Sequence, residues 1–107
     1  MRGLLEEHNT TGLMHMKVTL RFFARFGELL GNTLEIEGSE NSSVASLVRE
    51  AASGSREGYD AIFDDKGSFR DYVIVMRNKK RIRSRDAGSI PIEEGDEIAV
   101  FPPVAGG

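Results

Sequence analysis

The sequence closes on Phe101-Pro102-Pro103-Val104-Ala105-Gly106-Gly107. The group there with chemistry to offer is the carboxyl of Gly107. It is anionic near neutral pH, with an ordinary pKa of about 3.5, and neither sulfide nor an amine attacks it usefully. It needs activation by another protein before it can react. The flanking residues suit that encounter. Gly106 and Gly107 carry no Cβ and can follow unusual backbone paths in a confined site. Pro102 and Pro103 stiffen the base of the arm and lower the ordering cost of docking. Val104, with Ala105 beside it, offers a small apolar anchor. We expect these last residues to leave the domain as a narrow arm that enters another protein's active site. The competing expectation is an inert, frayed terminus.

Other chemistry finds less support. His8 and His15 are the only histidines, and both precede the patterned part of the chain. They read as tail residues without an organised carboxylate, so no metal site is expected from them. Cysteine is absent, which excludes disulfides, thiolate catalysis and cysteine-bound metals. Gly27 and Gly31 lack the spacing and the following lysine of a phosphate-binding loop. Glu93, Glu94, Asp96 and Glu97 read as a solvated loop flanking a strand. The run from Arg77 to Arg85 concentrates positive charge in an otherwise acidic chain of net charge -3. It reads first as a charged hairpin guarding a short edge strand. RNA or the acidic face of a partner protein are its alternatives, although the net charge argues against a dedicated nucleic-acid binder.

The elements that must position these residues follow from periodicity. At 107 residues and 39% apolar content, the chain makes one domain with one modest core. No apolar run has the length of a membrane span. Residues 1–15 have no sustained period and no signal-peptide layout, and a cytoplasmic protein is the default. They read as a flexible extension, or as an artefact of start-site choice, with a short docking helix over Leu4 to His8 as the alternative. From Lys17 to Arg25 the chain alternates. Val18, Leu20, Phe22 and Ala24 fall on one face, and Arg21, Phe23 and Arg25 on the other. Phe26 to Leu30 predicts a turn or one-turn helix closed by Gly31, and Thr33 to Glu37 a second strand with Leu34 and Ile36 inward. Ser42 or Ser43 can cap a helix whose stripe is Val44, Leu47, Val48 and Ala51. A shorter helix around Tyr59 and Ile62 is followed by a loop over Asp64 to Ser68. Tyr72 to Met76 is a strand, Asn78 to Lys80 a tight turn, and Arg81 to Arg83 a brief return. Pro91 to Asp96 is a polar connection into the last strand, Glu97 to Phe101. The result is an α+β layout, a mixed sheet of four to five strands packed on one main helix.

The pattern from Met16 to Gly107 resembles the ubiquitin-like sulfur carriers: MoaD, the small subunit of molybdopterin synthase, and its thiamine-pathway relative ThiS. It also resembles the archaeal small modifier proteins. The matching pieces are Lys17-Val18-Thr19-Leu20-Arg21-Phe22-Phe23-Ala24, Glu28-Leu29-Leu30-Gly31, the Asn78 turn, Gly95-Asp96-Glu97-Ile98-Ala99-Val100 and the final Phe101 to Gly107 block. The resemblance implies a β-grasp, ubiquitin-like domain over residues 16–107 with a protruding Gly-Gly tail. In such a sheet the first and last strands are neighbours, which brings Phe23 and Phe101 together on the face opposite the helix. We expect an exposed aromatic pair there as a docking anchor, framed by the basic hairpin with Arg81.

The resemblance also implies a reaction. An E1-like activating enzyme, supplying ATP and Mg²⁺, adenylates Gly107, and AMP becomes the leaving group. Attack by a sulfur donor system gives a thiocarboxylate that serves molybdopterin synthesis with the large synthase subunit. Attack by a lysine amine gives an isopeptide bond to a target protein. The chain is then a protein co-substrate or small subunit, not a stand-alone catalyst. It holds no cofactor or metal of its own. Sulfur carriage is the leading expectation, protein modification its close alternative, and a simple interaction domain with an inert Gly-Gly end the third.

Overall fold

The alternation that begins at Lys17 builds the sheet's central region. In a computed structural model, which describes residues 15–103, β1 (Met16–Phe22) buries Val18, Leu20 and Phe22 on one face. Residues 1–14 and 104–107, and with them most of the expected extension and tail, lie outside the described residues. The elements continue with α1 (Arg25–Leu30), β2 (Thr33–Gly38), α2 (Val44–Ala52), α3 (Arg56–Ile62), β3 (Ile74–Arg77), β4 (Lys80–Ile82), a 3-10 helix at Ser84–Ser89 and β5 (Glu97–Phe101). The sheet order is β2-β1-β5-β3-β4. β1 pairs antiparallel with β2 and parallel with β5, and β3 pairs antiparallel with both β5 and β4. This is the β-grasp arrangement: a mixed sheet with its helices on one face.

The first strand is shorter than its alternation predicts. Ala24 does not face the core; it is exposed, with φ 54°, and turns the chain into α1. The cause lies just downstream. Gly27 is buried, and a Cβ there would stand 2.7 Å from the Phe22 carbonyl oxygen. Only a bare backbone can pack that closely, and α1 swings Phe26 into the core as a result. Arg25 is exposed and pairs with Glu57 of α3 at 2.8 Å.

α2 forms where its stripe predicts. Ser43 caps it by accepting from the Ser46 amide, and the Ser46 hydroxyl accepts in turn from the Ser43 amide. Val44, Leu47 and Val48 are fully buried; Ala52, rather than Ala51, completes the stripe. The loop after α3 is ordered by Asp64. Its carboxylate accepts from the amides of Ser68 and Lys66, and the Ser68 bond leads the effects that hold this carboxyl below its ordinary range.

The segment read as a polar connection is exposed at Pro91, Glu93, Glu94 and Gly95 but sends Ile92 and Asp96 inward. Ile92 is buried, its amide donates to the Ser42 carbonyl, and the Val44 amide donates to the Ile90 carbonyl. Asp96 departs most from its expected solvated role: it is 3% exposed, the one buried charged residue among those described. Its carboxylate accepts from the Glu93 amide at 2.8 Å, Asn78 Nδ2 at 2.9 Å and Arg77 Nε at 3.0 Å. Its carbonyl takes the Thr19 amide at 2.9 Å. Asn78 also bonds Glu97 through both its backbone N–H and its side-chain oxygen. The Asp96 carboxylate thus ties the β3–β4 turn to the start of β5, and its carbonyl ties both to β1. A buried carboxylate requires such complete pairing. Asp96→Ala should cost about 2–4 kcal/mol, since it leaves the donors of Arg77 and Asn78 unmatched. Urea unfolding followed by circular dichroism measures it, and a loss below about 0.5 kcal/mol would show that the network is dispensable.

Candidate functional site

The face of the sheet opposite the helices is built by strand parity. Residues paired across the ladders share a face. Arg21 lies beside Ala99, Ile74 opposite Phe101, Met76 opposite Ala99, and Arg81 opposite Met76. Phe23 continues β1 by one residue, held by its amide bond to the Val100 carbonyl at 3.1 Å. The Phe23 carbonyl accepts from the Phe26 amide, so the turn through Ala24 fixes where this ring stands.

Phe23 and Phe101 meet as a stack, with ring centroids 4.4 Å apart and planes 4° from parallel. The Arg21 guanidinium lies 5.1 Å from the Phe23 centroid and 3.6 Å from the Glu97 carboxylate. The pair is half-buried rather than fully exposed, because each ring covers part of the other. Ile74, Met76 and Ala99 are also half-buried and extend this patch toward β4. Arg81 is exposed on the same face but stands two strands from β5, at the edge of the patch. Pro102 is half-buried, Pro103 is exposed, and both follow directly from Phe101. The root of the C-terminal segment therefore leaves the sheet at the aromatic stack. Val104, Ala105, Gly106 and Gly107 lie outside the described residues.

Parity alone does not identify Tyr72, the exposed large hydrophobic at 50%. The expected strand begins at Tyr72, but β3 starts at Ile74 and Tyr72 falls in the turn before it. The basic run also divides. Arg77 turns to Asp96 and Glu93, at 3.0 and 3.7 Å, and leaves the surface charge to Lys79, Lys80, Arg81, Arg83 and Arg85, all exposed. Among the described residues, no group of three or more His, Cys, Asp and Glu could hold a metal ion, and no helix is long and apolar enough to cross a membrane. His15 stands 3.7 Å from Glu37 on the surface.

The model of one protein family, the ThiS family, matches residues 20–107, a span that holds most of the sheet, the aromatic stack and the C-terminal segment. The chain belongs to the ThiS family. It is 28% identical over 92 residues to small archaeal modifier protein 3 of Haloferax volcanii, covering 86% of this chain and 100% of that protein. It is 31% identical over 98 residues to the molybdopterin synthase sulfur carrier subunit of Aedes aegypti, covering 86% of this chain and 90% of that one. The crystal structure of SAMP1 from Haloferax volcanii superposes with a TM-score of 0.71 at 28% identity, over 85% of this chain and 99% of that one. This ThiS-family protein is thus a small ubiquitin-like carrier or modifier in kind, not a stand-alone enzyme.

The two faces of β1 predict different costs. Phe22→Ala should lose about 3–5 kcal/mol, since that ring is fully buried in the core. Phe23→Ala should lose only about 1 kcal/mol, the worth of one aromatic stack at a half-exposed site. Thermal unfolding of the two variants compares them. Equal losses would make Phe23 a core residue and remove the surface assignment.

Proposed function

We propose that Gly107 carries the reacting carboxyl and that the chain acts as a ubiquitin-like modifier of protein lysines. The observation that carries this reading is the aromatic stack at the root of a segment ending Pro-Pro-Val-Ala-Gly-Gly. The modifier outcome draws further support from small archaeal modifier protein 3, matched over 100% of its length. In the proposed sequence an E1-like enzyme binds the open face through Phe23 and Phe101, with Arg81 at the margin. Pro102 and Pro103 aim the segment, and Val104 to Gly107 enter the enzyme. The Gly107 carboxylate attacks the α-phosphorus of ATP, held there with Mg²⁺; pyrophosphate leaves and an acyl-adenylate forms. An enzyme thiolate displaces AMP to give a thioester. A lysine amine then displaces the thiol, forms the amide bond and loses a proton.

Sulfur transfer is the second reading, favoured by the 31% identity to a molybdopterin synthase sulfur carrier subunit. It shares the adenylate and diverges only when a sulfur nucleophile replaces AMP, leaving a thiocarboxylate at Gly107. Both readings place the chain in the cytoplasm with a sulfur donor or target lysines as later partners.

Capture from cells separates the outcomes. Trypsin cuts after Arg85 at the nearest site and would leave a long branch, so a glutamate-specific protease, cutting after Glu97, is used to leave an Ile98 to Gly107 branch on modified lysines. Branched lysines are expected. Their absence, together with the mass gain of one oxygen-to-sulfur exchange on the intact chain, would move the assignment to sulfur transfer. Neither product would overturn both. Gly107→Ala should fold normally yet lower ATP–pyrophosphate exchange about a hundredfold, since a methyl group displaces the reacting carbon. Undiminished exchange would show that the terminal glycine is not sterically required. Phe23→Ala should weaken calorimetric binding to the activating enzyme by at least about tenfold. Unchanged affinity would take the stack out of the docking surface.

A further inference from the structure

Apart from Arg81 at the margin of the docking face, the basic run is not used in presenting the terminus. Arg77, Lys79, Lys80, Arg81, Arg83 and Arg85 are six of the 14 cations of an acidic chain, crowded into one hairpin and its exit. Once Arg77 is paired with Asp96, the other five are exposed, and none forms an ion pair with another described residue. Lys80 and Arg81 lie in β4, the outermost strand on its side of the sheet, and Lys79, Arg83 and Arg85 flank it.

The backbone there is open as well. Asn78 and Lys79, with φ 51° and 70°, form a two-residue turn that makes Arg77 and Lys80 the closing hydrogen-bonded pair. Pairs alternate along an antiparallel ladder, so Met76 and Arg81 are a non-bonded pair. The N–H and C=O of Arg81 therefore point away from β3, to the outer side of the sheet. Beside this edge lies a cleft of about 550 Å³ lined by Asp71, Val73 and the run from Arg81 to Arg85, with Ile82 among them.

We propose that the β4 edge and this cleft bind a short acidic segment of a partner protein, added to the sheet as an extended strand. The Arg81 backbone supplies main-chain bonds, and the flanking cations select carboxylates. Nucleic acid fits less well. The cleft has no aromatic lining residue on which a base could stack. A long polyanion would also meet the chain's net charge of -3, whereas a short segment feels mainly the cations within about 10 Å at moderate salt. β4 runs parallel to β5 through their shared neighbour β3, so Arg83 and Arg85 lie toward the sheet end where Phe101 leads into Pro102. A partner holding the C-terminal segment could place an acidic strand here. The site does not depend on the reaction at Gly107.

The test uses the full chain and three fluorescent probes: a peptide alternating Glu or Asp with Val or Thr, the same peptide with a central proline, and a single-stranded RNA oligonucleotide. The alternating peptide should bind at low salt and lose at least about tenfold in affinity by about 0.5 M salt. The proline peptide should bind about tenfold more weakly, because proline cannot join the ladder. Amide resonances of residues 80–85 should move together, and exchange of the Arg81 amide should slow. Arg81→Glu with Arg83→Glu should abolish binding while thermal unfolding is unchanged; if that variant misfolds, the amide readout on the unaltered chain decides. Equal binding of the two peptides, amide shifts centred elsewhere, or tighter binding of RNA would overturn the proposal. So would no peptide binding at low salt, which would leave the cations as guards against edge pairing.

Discussion

Two parallel strands cannot be joined by a hairpin, so the pairing of β1 with β5 forces the intervening chain to cross over and return. That constraint organises the rest of the molecule. The crossover carries α2, whose buried stripe of Val44, Leu47, Val48 and Ala52 covers Val18, Leu20, Phe22, Ile98 and Val100 in one core. The pairing also brings residues from the two ends of the domain into register, with Phe22 beside Val100. One step further along each strand, on the opposite face, this register sets Phe23 against Phe101. The aromatic juxtaposition is therefore a by-product of the same ladder that closes the core. A change that slips this register would move every inward side chain outward and separate the two rings at once.

Charge divides along the same line. At the start of β5, Asp96 is buried because Arg77, Asn78 and the Glu93 amide converge on it. This fixes the hairpin turn against the central strands. It also removes one arginine from the basic run and leaves the others on the edge. The turn is thus anchored from its interior side while its outer backbone stays open. An anchored edge strand is a better template than a frayed one, since little ordering remains to be done when a partner strand arrives.

Much of this was legible from residue types, for identifiable reasons. Alternation in β1 and β5 and the spacing of α2 report burial directly, because one face of each element is core. Parity also set Phe23 and Phe101 on the other face, although the extent to which each ring covers the other depends on side-chain placement that parity does not carry. The end of β1 at Phe22 was not legible, since Ala24 continues the apolar pattern and the close packing at Gly27 arises only in three dimensions. Asp96 was hidden for a related reason. Among Glu93, Glu94 and Glu97 it looks like one more solvated acid, and its partner Arg77 sits in another charge run that meets it only after β3 pairs with β5. The 3-10 helix at Ser84–Ser89 is too short to show a period, yet it buries Ala87 completely.

The stack of Phe23 on Phe101 also bears on how a domain this small can keep an apolar face available. Two separate phenylalanines on an open sheet would each expose a ring to water and sample several rotamers. Stacked, they hide part of their area from solvent while free, and Arg21 covers a further part. A partner then meets a patch whose rings already stand in place, so less side-chain entropy is lost on docking. Only the outer surfaces of the rings and the neighbouring Ile74 and Met76 remain to be desolvated. The arrangement trades some exposed area for preorganisation. That trade suits the proposed docking and release, where a larger exposed apolar face would favour lasting association.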